Sequence, residues 1–125
     1  MPKRVIESVD MPAALGPYSQ AVGALGELVF ISGQAGLAAD GSVSGEFAAQ
    51  ARQAFENIKN VVEASGLSMT DVAKTTIYLA DASQFPVLND LFGEYFPKNP
   101  PTRAVPITQL PKGLLISIEA IAVRP

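Results

Sequence analysis

Residues 44–66 read SGEFAAQARQAFENIKNVVEASG, and their spacing decides how the rest of the chain must be arranged. The apolar positions Phe47, Ala51, Ala54, Phe55, Ile58, Val61 and Val62 recur at i, i+4, i+7, i+8 and i+11. That spacing lines one face of an α-helix. Ser44 is placed to cap its start and Gly66 to close its end. Arg52 and Glu56 stand four residues apart on the wet side, as an i,i+4 ion pair.

Outward from this helix the pattern changes to that of strands. On its C-terminal side VAKTTIYLA (72–80) is rich in β-branched residues and predicts a strand. SQFPVLNDLFGEYFP (83–97) returns to helical spacing through Phe85, Leu88, Leu91, Phe92, Tyr95 and Phe96. Pro86 suits its first turn and Pro97 stops it. TRAVPIT (102–108) and LLISIEAIAV (114–123) follow as two strands joined by QLPKG. On the N-terminal side RVIESV (4–9) predicts a strand, and YSQAVGALGELVFISGQ (18–34) predicts a hairpin with a loose turn at Gly23–Gly26. AGLAADGSVSG (35–45) predicts a loop with a turn at Asp40-Gly41.

The resulting order, β-β-β-α-β-α-β-β, defines an α+β sandwich with both helices on one face of a sheet. No segment is left to cover the opposite face, which argues for association. The 125 residues suit a single domain, 1–125. A composition 48% hydrophobic and 17% charged leaves apolar surface to hide beyond the usual share. An oligomer hides it naturally, although a compact monomer is also consistent with these figures.

Composition also narrows the chemistry. There is no cysteine, so no disulfide forms, and no histidine, so the ordinary neutral-pH acid–base and the commonest zinc ligands are missing. The acids are dispersed without ligand spacing. Proton transfer would fall to Asp, Glu, Tyr, Lys, a hydroxyl or held water. The net charge of −3 and nine scattered basic residues argue against nucleic acid, which requires a concentrated positive face. MPKRVIESVD has no apolar core of signal-peptide length, and no run reaches the span of a bilayer. The expectation is a soluble, cytoplasmic protein without membrane association.

Two polar residues sit where apolar ones surround them. Arg103 lies within PPTRAVPI, in a stretch with no other charge. Either a carboxylate of the chain pairs with it, or its planar fork captures the carboxylate of a ligand. Glu119 shares a strand face with Leu115, Ser117, Ile121 and Val123, opposite Ile116, Ile118, Ala120 and Ala122. It is either a polar residue on a wet or interfacial face, or a carboxylate tuned within a pocket. Tyr18, Ser32 and Gly33 are further candidates for a site, but Gly-Pro-Tyr is also an ordinary turn and Ser-Gly-Gln an ordinary strand end. Asn89 reads first as an exposed polar residue of the second helix.

Taken together, GPYSQAV, VFISGQ, QARQAFENIKNVVEASG, VAKTTIYLAD, VLNDLFGEYF, PPTRAV, LPKG and IEAIAV occur in an order that resembles the RidA/YjgF family. Its members are also labelled translation inhibitor or L-PSP endoribonuclease. The resemblance runs from about Pro12 to Val123. It implies a chorismate-mutase-like fold, a homotrimer with a central β-barrel, and ligand clefts between subunits. It further implies cofactor-free hydrolysis of 2-imino or 2-enamino acids to 2-keto acids and ammonia. By resemblance Arg103 holds the substrate carboxylate, while Tyr18, Ser32, Gly33 and Asn89 line the same cleft. Two departures stand out. TRAVPITQLPK, with Pro106, is a residue shorter than the segment of many deaminating members. ISIEAIAV places Ser117 where those members carry a water-ordering Glu, leaving Glu119 as the match to the second Glu of their IEIEAIAV. A non-catalytic module binding 2-keto acids is therefore the alternative, with RNA cleavage a more distant one.

Overall fold

The computed structural model describes residues 3–125. Six strands and two helices alternate in the expected order: β1 (Lys3–Ile6), β2 (Ala21–Ala24), β3 (Glu27–Ala35), α1 (Phe47–Ala64), β4 (Val72–Leu79), α2 (Phe85–Tyr95), β5 (Thr102–Ala104) and β6 (Ile116–Arg124). The main sheet has the order β3-β6-β4-β5. β6 runs antiparallel to β3 and β4, and β5 runs parallel to β4.

α1 buries Phe47, Ala51, Ala54, Phe55, Ile58 and Val62 as its spacing requires. Val61 lies at the margin of that stripe and is exposed. Gln50 joins the buried face in its stead, because its amide bridges two loops: Nε2 donates to Ser44 O at 2.8 Å and Oε1 accepts from Leu115 N at 3.0 Å. The helix closes in a Schellman arrangement, with Gly66 N donating to Glu63 O and Leu67 N to Val62 O, and with φ +81° at Gly66. Its start differs from expectation. Glu46, in extended conformation, is the N-cap, and Ser44 instead accepts from Glu46 N through its hydroxyl. Arg52 does not pair along the helix with Glu56. It reaches Glu94 of α2 at 3.1 Å, while Tyr95 donates its hydroxyl proton to Glu56. The wet faces of the helices are tied to each other rather than within α1.

Phe55 forms the centre of the core, stacked on Tyr95 at 5.0 Å between ring centroids and edge-on to Phe92 at 6.3 Å. Ile77, Leu79, Ile116 and Ile118 meet these rings from the sheet and are fully or almost fully buried. The alternation along β6 is as expected, with Ile116, Ile118, Ala120 and Ala122 beneath the helices. On the opposite face, Leu28 and Phe30 are 53% and 72% exposed.

Three expectations about the strands are corrected. β1 ends at Ile6, and Glu7–Val9 lie outside it. β5 stops at Ala104 because Pro106 has no N–H to continue a ladder. Its carbonyl still accepts from Leu79 N at 3.0 Å, and Ile107 makes only an isolated bridge to Leu79. The third correction is topological. Residues 18–34 do not form a hairpin: β2 pairs with β1 in a separate two-stranded sheet, while β3 pairs with β6.

Candidate functional site

β5 carries Arg103 beside Thr75 of β4, a residue whose side is buried under the helices. Its guanidinium therefore points toward α2. Nη1 donates to Asn89 Oδ1 at 2.7 Å. The guanidinium carbon lies 4.8 Å from the ring centre of Tyr18, 5.1 Å from Phe92 and 5.5 Å from Phe85. Phe85, Asn89 and Phe92 share one face of α2 by their i, i+4, i+7 spacing. Gly16 completes the enclosure, since a Cβ there would stand 2.8 Å from Arg103 Nη2.

Among the described residues, the ion pairs within 4.0 Å are Arg52–Glu94 and Arg124–Glu27, so Arg103 has no carboxylate partner. Its structural partner is an amide and three aromatic faces. Each such face contributes about 0.5–2 kcal/mol, whereas desolvating an ion costs several kcal/mol. Burial accordingly lowers the basicity of Arg103, with Tyr18 acting in the opposite direction. A half-buried fork with unused donors is a good receptor for an anion.

The remaining candidates lie on the other side of the sheet. β3 and β6 pair Ile31 with Ala120 and Gln34 with Ile118, so Ser32 and Gly33 together oppose Glu119. This is a β-bulge, which sets two residues of β3 against one of β6. On the other flank Glu119 is paired with Thr76, and Tyr78 donates to its Oε1 at 3.3 Å. Ser117 follows opposite Tyr78, and a Cβ at Gly33 would stand 2.9 Å from its hydroxyl oxygen. Lys74 Nζ donates to Thr76 Oγ1 at 3.2 Å on the same face. A groove of about 370 Å³ runs over this patch, lined by Phe30, Ser32, Lys74, Thr76, Glu119 and Ile121.

The seven candidate residues thus form two groups. Tyr18, Asn89 and Arg103 converge at the sheet edge under α2. Ser32, Gly33, Ser117 and Glu119 converge on the open face. One chain does not bring the groups together, because Arg103 follows Thr75 to the helix side and Glu119 follows Thr76 to the open side. Phe85, Phe92, Lys74, Thr76 and Tyr78 were not singled out in the sequence as site residues. The signal for the first two was Asn89 itself, a polar residue within the apolar face of α2. Among the described residues no group of three or more metal-ligating side chains occurs, and no helix is long and apolar enough to cross a membrane.

Fold and site define a small α+β protein with a carboxylate-free arginine at a sheet edge. Residues 8–124 match the family model described as endoribonuclease L-PSP. A RutC family protein of Pyrococcus horikoshii is 44% identical over 98% of each chain. The human 2-iminobutanoate/2-iminopropanoate deaminase is 42% identical over 98% of this chain and 90% of its own. Among solved structures, a Rid family protein of Yersinia pestis superposes with a TM-score of 0.90 at 28% identity, covering 99% of this chain and all of that one. RidA from an Antarctic Psychrobacter gives 0.76 at 41% identity, covering 97% and 99%. The chain belongs to the RidA/YjgF family.

Proposed function

We infer that the protein hydrolyses 2-imino and 2-enamino acids to 2-keto acids and ammonia, in a cleft between subunits of a homotrimer whose open sheet faces form a central barrel. The observation that carries this reading is Arg103, a half-buried cation satisfied by an amide and aromatic faces instead of a carboxylate. Its free donors suit the carboxylate common to these substrates. The exposed Leu28 and Phe30 support association through the uncovered face. Relatives named 2-iminobutanoate/2-iminopropanoate deaminase, about 42% identical, support the reaction class.

The chemistry asks little of the protein. With the carboxylate held, an imine carbon is already electrophilic, and orientation accounts for much of the rate. Water adds to that carbon, a proton passes to the nitrogen, and the carbinolamine expels ammonia as the carbonyl forms. Ser117 and Glu119 are the groups that hold the water, with Ser32 and Gly33 beside them. A hydroxyl orients water but accepts its proton poorly, so turnover is slow relative to an enzyme with a carboxylate at that place.

The test couples a serine or threonine dehydratase to this protein and traps the free imine with semicarbazide. The expected result is faster release of keto acid and less semicarbazone than in a protein-free blank. Equal rates overturn the deaminase reading. The separation of Arg103 from Ser117 and Glu119 across the sheet favours a second reading, in which the arginine cleft binds 2-keto acids without turnover. Calorimetric binding of 2-oxobutanoate without acceleration in the coupled assay selects it.

A further inference from the structure

β2 and β3 are separated by only Leu25 and Gly26. A two-residue link between extended segments ordinarily closes a hairpin. Here the two strands belong to different sheets, and each is left with an unpaired edge: β2 pairs only with β1, and β3 only with β6, among the described residues. The β1–β2 hairpin is instead seated beside the start of β4. Lys3 is buried there and donates to Thr70 O at 3.0 Å, Val72 O at 2.8 Å and Asn99 O at 2.6 Å. Three carbonyls satisfy all three ammonium donors, which makes this a specific seat. Ser19 N adds a bond to Pro101 O at 3.1 Å. The link is shaped for the separation: Gly26 has φ +140°, and a Cβ there would fall 2.0 Å from Arg124 O. Leu25, Leu28 and Phe30 around it are 83%, 53% and 72% exposed.

Unpaired edges beside exposed apolar side chains are templates for strand addition. Both edges lie on the same chain and on different parts of it, so pairing one with the other joins copies head to tail, a contact that gives a ring where its rotation closes. We propose that the β1–β2 hairpin is an exchanged arm: the free edge of β2 in one copy pairs antiparallel with the free edge of β3 in the next. This rests on the association in the functional reading above and specifies how it is made. The register of a two-residue turn sets Gly23 opposite Leu28 and Ala21 opposite Phe30. Continued along the strands, it sets Ser19 opposite Ser32 of the partner subunit and Tyr18 opposite the partner subunit's Gly33. Tyr18 covers Arg103 of its own chain. The exchange thereby brings the bulge of one copy to the arginine of another and joins the two groups of site residues.

The absence of cysteine makes the test clean. Gly23→Cys and Leu28→Cys are introduced together; the nearest atoms to a Cβ at 23 belong to the Arg4 guanidinium, no nearer than 3.6 Å. Oxidation is expected to give covalently linked oligomers on a non-reducing gel, collapsing to single chains with reductant. Single chains with both thiols consumed would show β2 folded on its own β3 and overturn the exchange. Single chains with both thiols free would overturn it as well. Ala21→Cys with Phe30→Cys, the next pair of the same kind, repeats the test if the first variant does not fold. Light scattering on the unsubstituted protein separates the two failures. A monomer removes the association altogether, whereas an oligomer with intrachain bonds removes only the exchange and leaves the deaminase reading standing.

Discussion

Arg103 shows what a single residue discloses before a structure is known and what it withholds. Its isolation within PPTRAVPI marked it, but the choice between an internal carboxylate and a ligand depended on partners distant in sequence. The structure gives it Asn89, Tyr18, Phe85 and Phe92, from a loop and a helix that periodicity placed without orienting relative to β5. Arg103→Ala is expected to weaken 2-oxobutanoate binding about 10- to 100-fold by calorimetry, since a hydrogen bond to a charged group contributes about 1.5–3 kcal/mol. Arg103→Lys should lose most of the same affinity, because an ammonium cannot reproduce the planar fork. Gly16→Ala places a methyl 2.8 Å from Nη2 and should weaken binding with thermal stability little changed. On the open face, Ser117→Glu should raise turnover in the coupled assay if the hydroxyl holds the water. Should that variant leave the rate unchanged while Glu119→Gln abolishes it in an intact protein, Glu119 is the working base and Ser117 is not.

Elements were legible where a long period repeats and less so where one hydrogen bond decides. α1, α2, β4 and β6 follow their apolar spacing closely. The limits of β5 follow from Pro106, whose missing N–H leaves the ladder three residues long. The start of α1 escaped prediction because Ser44 serves the loop before the helix, not its first turn. Gln50, polar and 2% exposed, ties that loop and Leu115 to the helix. Gln50→Ala leaves both backbone partners without it and should cost about 1–3 kcal/mol in urea unfolding. Asp81 provides a test through pH. It accepts from Ser83 N at 2.9 Å at the head of the 3₁₀ turn Ala82–Gln84, and that bond holds its carboxyl below the ordinary range. A lowered folded-state pKa gives stability that is present above the unfolded value and lost as pH falls through the folded one. The gap in urea midpoint between wild type and Asp81→Asn should therefore be fully open above the ~3.9 of a free aspartate and narrow as pH falls below it. A gap that persists in acid would show that the cap does not titrate in this way.

At the scale of the whole molecule, the order of elements and the uncovered sheet face were both readable from pattern. The route of the N-terminal strands was not. A two-residue link between β-like segments carries the same local signal whether β2 folds onto its own β3 or swings to the seat of Lys3, because the deciding contacts lie some seventy to a hundred residues away. The division of the site across the sheet was hidden for a related reason: neighbouring positions of β4, Thr75 and Thr76, send Arg103 and Glu119 to opposite faces. In the proposed assembly a ligand carboxylate sits on Arg103 and its reacting carbon faces the Ser32, Ser117 and Glu119 patch of another copy. A crystal structure of the assembled protein with 2-oxobutanoate tests this most directly. The carboxylate oxygens are expected about 2.7–2.9 Å from Arg103 donors, the range of charge-assisted pairs. A ligand bound elsewhere, with Arg103 still held only by Asn89 and its three rings, would contradict it.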